Sequence, residues 1–218
     1  GGPELNGILS LEASTDWNIE AACSALDKKA SDLKVVVMDR PRHETLIKEL
    51  RALEDEAIAE CVKMQENLGL EAVTDGEFRR ENWWIDFISA ISGIEISEPD
   101  QGSAFRQNPE YGGNYVPKNV LTTGKISGGG TISVDDFDYL DRCTSKTVKV
   151  MIPSPSRIHF HGGRKAVSED VYPSMDDFWA DIITLYQDEI AALESRGCTY
   201  IQIDDPVLTY FLDDPVNG

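Results

Sequence analysis

Twice in this chain a long amphipathic run is stopped by a glycine and followed at once by a short β-type segment. ETLIKELRALEDEAIAECVKMQENL, residues 44–68, meets Gly69 and then LEAVTD; SMDDFWADIITLYQDEIAALESRG, residues 174–197, ends on Gly197 and runs into TYIQIDDP. In the first run Leu46, Leu50, Leu53, Ala57, Cys61, Met64 and Leu68 recur three or four apart with charges between them. In the second, Phe178, Ile182, Leu185, Ile190 and Leu193 mark the buried side, and Ser174 is placed to cap the start. Helices that must each bury one stripe, alternating with strands, leave few architectures. They point to an α/β fold with a parallel sheet and helical crossovers, closed as a barrel or open and doubly wound.

Other segments fill in the pattern. LKVVVMD, residues 33–39, reads as a buried strand closed by Pro41, and TVKVMIPSPS, residues 147–156, as another ended by prolines. NVLTTGKISGGGTISV, residues 119–134, reads as a hairpin turning at Gly128, Gly129 and Gly130. A short helix in WNIEAACSALDKKA, a helical start from Glu81 to Ile91, and a Gly-, Pro- and Asn-rich loop from Ser97 to Lys118 complete the pass. No glycine-rich phosphate fingerprint follows any strand, which lowers the weight of a nucleotide-binding sheet.

Charge narrows the partners. The 218 residues carry 39 acidic against 20 basic side chains, a formal charge of −19, so nucleic acid and anionic membrane surfaces are repelled overall and small-molecule chemistry fits better. Cys23, Cys61, Cys143 and Cys198 show no CxxC spacing, which argues against a zinc knuckle and a disulfide framework and for reduced thiols in a cytoplasmic protein. No apolar run approaches the roughly 18 residues of a membrane span, and residues 1–10 lack a basic signal-peptide start. The Gly-Gly-Pro opening and the DDPVNG ending both read as cuts.

In a barrel, active sites are built from polar residues at the carboxyl ends of strands. That rule selects three places. Asp75-Gly76-Glu77, with Arg79 and Arg80 close by, offers carboxylates to a ligand's ammonium group, against the plainer reading of an Asp-Gly turn with a solvated ion pair. Trp83 and Trp84 cannot face the same way, so one belongs to the core while the other supplies a stacking wall. Asp204 and Asp205 likewise point to opposite sides, and at most one looks into a barrel mouth. Ser154 and Ser156, two apart, share a face and offer hydroxyls and, near Pro155, backbone groups to a carboxylate. His159 and His161 share a parity that suits a metal pair, with no third ligand nearby.

The segments EDEAIAECVKMQENLGLEAVTDGEFRRENWWIDF, VMIPSPSRIHFHGG and VYPSMDDFWADIITLYQDEIAALESRGCTYIQIDDP together resemble the cobalamin-independent methionine synthase family, in particular short single-barrel relatives of its C-terminal domain. The resemblance runs from Glu44 to Asp214 and leaves residues 1–43 as an atypical N-terminal segment ahead of a partial barrel domain, 44–218. It implies a TIM-type (β/α)8 barrel, of which about four of the eight strand–helix units are present. The family's activity is methyl transfer from a methyl-tetrahydrofolate to a thiol such as homocysteine, which makes a small-molecule thiol and a folate the expected partners. Glu77 in DGEF and Asp204 in QIDDP match the family's two ligands for the substrate amino group, and Trp84 is assigned to the border of the flat pterin. Ser154 and Ser156 would lie on a neighbouring strand end.

The resemblance also implies a zinc that lowers the thiol pKa. Its His-x-Cys, Glu and Cys ligands match no position in this chain, and the family's opening His-x-Gly-Ser strand has no counterpart in residues 1–43. Asp205 stands where the founding enzymes carry Glu. A half barrel leaves strand edges bare, so the chain is read as a fragment, as pairing with a second copy or subunit that completes it, or as having rebuilt its ends. Three alternatives stay open: a binding or assembly protein that keeps the substrate face without chemistry, a related thiol alkyltransferase or lyase, and a hydrolase built on a carboxylate pair.

Overall fold

The computed structural model describes residues 24–29, 40–97, 118–160 and 162–206. It divides into two compact units, Gly1–Arg79 with Tyr139–Val148, and Arg80–Asp138 with Lys149–Gly218. The expected strand at 33–39 lies outside the described residues, as does most of the expected loop between Ser97 and Lys118.

In the first unit, residues 24–29 are helical and α1 spans Arg40–Asn67. Pro41, read as closing the strand at 33–39, stands in the first turn of α1. Proline fits there because its fixed φ suits the first turn, where its missing N–H has no intrahelical partner to lose. Ala57, Ile58, Cys61, Val62 and Gln65 form the buried stripe in the second half of α1, whereas Leu68, expected in that stripe, lies beyond the helix end and is exposed. Gly69 ends the helix with φ +81°, and the N–H of Leu70 returns to the Gln65 carbonyl at 3.1 Å. A two-residue strand β1, Ala72–Val73, follows and pairs in parallel with the first residues of a later strand, Thr147 and Val148.

The second unit begins with a short helix α2, Ile85–Ser89, rather than a helix from Glu81. The Asp86 carboxylate accepts from the backbone N–H groups of Glu81 and Asn82, which holds those residues in a turn ahead of the helix. Strands β2, Ser92–Ser97, and β3, Asn119–Ser127, form an antiparallel ribbon with Ile94 opposite Thr122 and Ile96 opposite Val120. The register shifts at Gly93, where a side chain would meet the carbonyl oxygens of Lys125 and Gly124 at 2.5 and 2.6 Å.

β3 thus pairs backwards with β2, and the hairpin expected at Gly128–Gly130 is not formed. That glycine run instead packs on a helix. A Cβ at Gly129 would sit 2.3 Å from the Leu185 carbonyl oxygen, so only glycine allows the approach. Beyond it come α3, Val134–Cys143, which starts in this unit and ends in the first, and β4, Thr147–Pro153, which does the reverse. A single turn α4, Ser156–His159, and a 3-10 turn, Gly163–Ala166, lead to α5, Met175–Ser195, and the strand β5, Tyr200–Asp204.

β5 pairs in parallel with β4 from Lys149↔Tyr200 to Pro153↔Asp204, so strand, helix and parallel strand follow in order as expected. Ser174 caps α5, its side chain accepting from the Asp176 N–H at 3.2 Å. Phe178, Ile182, Leu185 and Leu193 are buried as expected; Ile190 is exposed, and Tyr186 and Glu189 are buried in the same stripe. The fold is mixed α/β, and the described residues form no closed barrel. No helix among them is long and apolar enough to cross a membrane.

Candidate functional site

In the second unit the ends of β4 and β5 lie side by side. The Ser154 N–H donates to the Asp204 carbonyl at 2.9 Å, extending the ladder one step past Pro153. From α5, the Tyr186 hydroxyl donates to the Pro153 carbonyl at 2.8 Å, a buried bond that fixes where β4 stops. Burial, and then the charge of Glu189, raises the Tyr186 pKa, so the phenol stays a neutral donor.

Beyond those strand ends the polar side chains are linked. Ser154 and Ser156 do share a face: their hydroxyl oxygens are 2.6 Å apart, and Ser156 donates to Asp205 Oδ1 at 3.0 Å. Asp204 Oδ1 accepts from Gln202 Nε2 at 2.6 Å, and Gln202 Oε1 accepts from Lys149 Nζ at 3.0 Å. Gln202 and Asp204 are two apart on one strand and so stand on the same side of it. Backbone groups near Pro155 were expected to serve a ligand carboxylate. The Ser154 N–H is spent on Asp204, and the Arg157 N–H on the Ser154 carbonyl at 3.1 Å.

Trp84 is the core member of the tryptophan pair, with 1% of its surface exposed. The guanidinium carbon of Arg157 lies 3.7 Å from its ring centroid, so a buried cation covers the face that the sequence reading had left for a pterin. Trp83 is half-buried. The correction concerns which of two adjacent aromatics faces inward, and periodicity over so short a helix does not decide it.

In the first unit, a turn follows β1. Asp75 is buried, and its Oδ1 accepts from the Glu77 N–H at 3.0 Å. Gly76 and Glu77 both have left-handed backbone, φ +67° and +59°. Gln65 on α1 holds the strand end by two bonds, accepting from the Thr74 N–H at 3.0 Å and donating to its carbonyl at 2.9 Å. Arg79, adjacent to this turn, pairs with Glu54 and Asp55, and its guanidinium lies 4.5 Å from the Tyr139 ring centroid. Burial raises the Tyr139 phenol to about 12.

No group of three or more His, Cys, Asp or Glu among the described residues could hold a metal ion. His159 packs edge-on against Trp179, centroids 5.4 Å apart, and burial and then Arg164 lower its pKa. His161 lies outside the described residues. Cys61 and Cys198 are buried thiols, and burial raises the Cys61 pKa. The zinc implied by the sequence resemblance therefore finds no fitting donor set here.

Sequence reading passed over Gln65, Tyr186 and Gln202, which build these strand ends, and Glu189, which holds the loop ahead of α3. Gln202 carried a signal in its strand parity with Asp204, and Glu189 in its spacing, four residues from both Leu185 and Leu193. The charge of Glu189 alone reads as solvent-facing, yet the residue is fully buried. Its carboxylate accepts from the backbone N–H groups of Gly130, Ile132 and Ser133 at 2.8, 3.1 and 2.6 Å.

The sequence profile described as "Cobalamin-independent synthase, Catalytic domain" matches residues 32–214. The chain belongs to this family. Among its relatives is the uncharacterized protein YxjH of Bacillus subtilis, 31% identical over 172 residues, covering 78% of this chain and 44% of that protein. A 5-methyltetrahydropteroyltriglutamate–homocysteine methyltransferase of Thermosynechococcus vestitus is 31% identical over 168 residues, 77% of this chain and 20% of that one.

A crystal structure of a Listeria monocytogenes protein assigned to the vitamin-B12-independent methionine synthases superposes with a TM-score of 0.58 at 30% identity, over 76% of this chain and 45% of that one. A Shewanella B12-independent methionine synthase, at 22% identity and the same TM-score, shares the fold. This cobalamin-independent synthase chain thus spans less than half the length of these relatives. A second profile, "Bacterial fructose-1,6-bisphosphatase, glpX-encoded", matches residues 1–59 only.

Proposed function

We propose that this chain carries the substrate face of a methionine-synthase-type methyltransferase, on part of a TIM-type barrel that a second copy or subunit completes. Residues 44–218 are read as the barrel part and 1–43 as a segment apart from it, although the family profile begins at residue 32, inside that segment. The carrying observation is the group of acceptors at the carboxyl ends of β4 and β5, Asp204 held by Gln202 beside the Ser154–Ser156–Asp205 chain. Carboxylates there suit a cationic ligand group. Asp204 is assigned to the ammonium of an amino-acid thiol such as homocysteine, and a methyl-tetrahydrofolate to the donor role; the assignment of Glu77, at the end of β1, to the same group rests on the sequence resemblance alone.

In the transfer, the thiol sulfur forms a bond to the methyl carbon as that carbon's bond to the folate nitrogen breaks. The electron pair goes to the nitrogen, which takes up a proton to become a secondary amine, and this balances the proton lost by the thiol. The part derived from this chain is binding and orientation of the acceptor. Zinc, where the family binds it, would lower the thiol pKa, and no step is assigned to it here because no fitting donor set stands among the described residues. A cytoplasmic setting suits the reduced thiols and the small substrates.

Titration calorimetry with homocysteine, beside a methyl-transfer assay on the same 218-residue chain, tests the reading. Wild type should bind, and Glu77→Gln and Asp204→Asn should each weaken binding about ten- to hundredfold, the loss of one charge-assisted hydrogen bond. Equal affinity in all three proteins would sink the assignment. Binding without turnover would favour a second reading for this chain alone, a substrate-binding protein without chemistry, which the lack of a metal donor set among the described residues supports.

A further inference from the structure

β3 ends at Ser127 and α3 begins at Val134, and the link between them is Gly128-Gly129-Gly130-Thr131-Ile132-Ser133. A strand, a glycine-rich turn and a helix start in this order aim successive backbone N–H groups at one point, the construction that holds anions in many proteins. Gly128 and Gly130 have left-handed backbone, φ +101° and +90°, and the packing of Gly129 on the Leu185 carbonyl fixes the turn against α5. The point on which the N–H groups converge is filled from α5. Both Glu189 oxygens sit there, Oε2 accepting from Gly130 and Ile132 at 2.8 and 3.1 Å and Oε1 from Ser133 at 2.6 Å. Glu189 is 0% exposed, and among the described residues its carboxylate pairs with no Lys, Arg or His. A buried anion without a cation is costly unless its surroundings replace the hydrogen bonds of water. Here the backbone N–H groups of the turn and of the start of α3 do so.

We propose that this turn is an oxyanion cradle with Glu189 as its built-in ligand, closed in the native chain to an external phosphate or carboxylate. The ligand class follows from the geometry, since three N–H donors set on two oxygens suit a planar carboxylate reaching in from one side. What the cradle requires is then an anion of that shape and not the helix that delivers it, so a free carboxylate should serve once the side chain is cut back. The plainer alternative is a clamp, in which Glu189 shapes the turn through its tether to α5 and a detached anion cannot replace it. The inference stands apart from the substrate reading above. It gives the glycine run a part in folding and removes the turn from the places where a phosphate ligand could bind.

Glu189→Ala in the full chain separates the two, because it removes the heavy atoms of one acetate and leaves the rest of α5 in place. Acetate, titrated against chloride at equal ionic strength, should raise the melting temperature of Glu189→Ala by about 3–5 °C with saturation. It should also shift the backbone N–H resonances of Gly130, Ile132 and Ser133. Wild type and Glu189→Met, which fills the space without an anion, should show neither effect, and inorganic phosphate should leave the three resonances of wild type unmoved. The absence of an acetate-specific gain in a folded Glu189→Ala chain overturns the proposal, as does an equal gain in wild type or a phosphate-induced shift of the three amides. If Glu189→Ala is unfolded in buffer, acetate and not chloride should restore its fold, and failure to do so overturns the proposal as well. A second variant, Glu189→Gln, keeps the bulk and drops the charge. Hydrogen exchange at Gly130, Ile132 and Ser133 should then quicken about tenfold or more, and unchanged exchange there contradicts the need for an anion.

Discussion

Gly76 sits between two residues assigned to chemistry or its support, and its backbone at φ +67° is one that side chains resist. A Cβ there would lie 2.9 Å from Phe78 Cε2 and 3.0 Å from Cys61 Sγ. Gly76→Ala should cost about 1–3 kcal/mol, read as a lower urea midpoint with an unchanged slope. His159 gives a pH test. Its folded pKa is lowered by burial and then by Arg164, so the unfolded chain binds the extra proton. The contribution is therefore present above the unfolded value of about 6.5 and lost as pH falls through the lowered folded value. Melting curves at pH 7 and pH 5 should differ less for His159→Gln than for wild type. The Asp75–Glu77 turn was legible because Asp-Gly after a β-type run is a local signal. Which of Trp83 and Trp84 is buried was not, because that depends on Arg157, seventy-odd residues along the chain.

The long helices were readable because a 3.6-residue stripe survives any choice of partner, and Ser174 and Gly197 mark the limits of α5 by local chemistry. The glycine run 128–130 was misread for the converse reason. Three glycines before a β-branched pair look like a hairpin turn, and the signal that decides otherwise sits on α5, where Glu189 takes three backbone N–H groups and the Leu185 carbonyl leaves no room for a Cβ at Gly129. That carboxylate ties the entrance of α3 to α5. Glu189→Gln keeps the size but offers one acceptor oxygen where the carboxylate has two. It should destabilise the fold by about 2–3 kcal/mol in denaturant titration, the worth of a charge-assisted hydrogen bond to a buried carboxylate. A loss under 0.5 kcal/mol would mean that the loop holds itself.

As a whole molecule, the chain carries a formal charge of −19, which repels polyanions overall, and the ligand proposed for the strand ends is a cationic small molecule. Family membership was legible from spaced motifs between Glu44 and Asp214, close to the 32–214 that the family profile matches. The chain covers 44% of YxjH and 45% of the Listeria protein, less than half of either. What this chain should do by itself is grip the acceptor. A crystal structure of the chain with homocysteine bound reports that grip. The amino nitrogen should lie within about 3.2 Å of the Asp204 carboxylate. An amino nitrogen held elsewhere, with the ends of β4 and β5 facing only solvent, would contradict it.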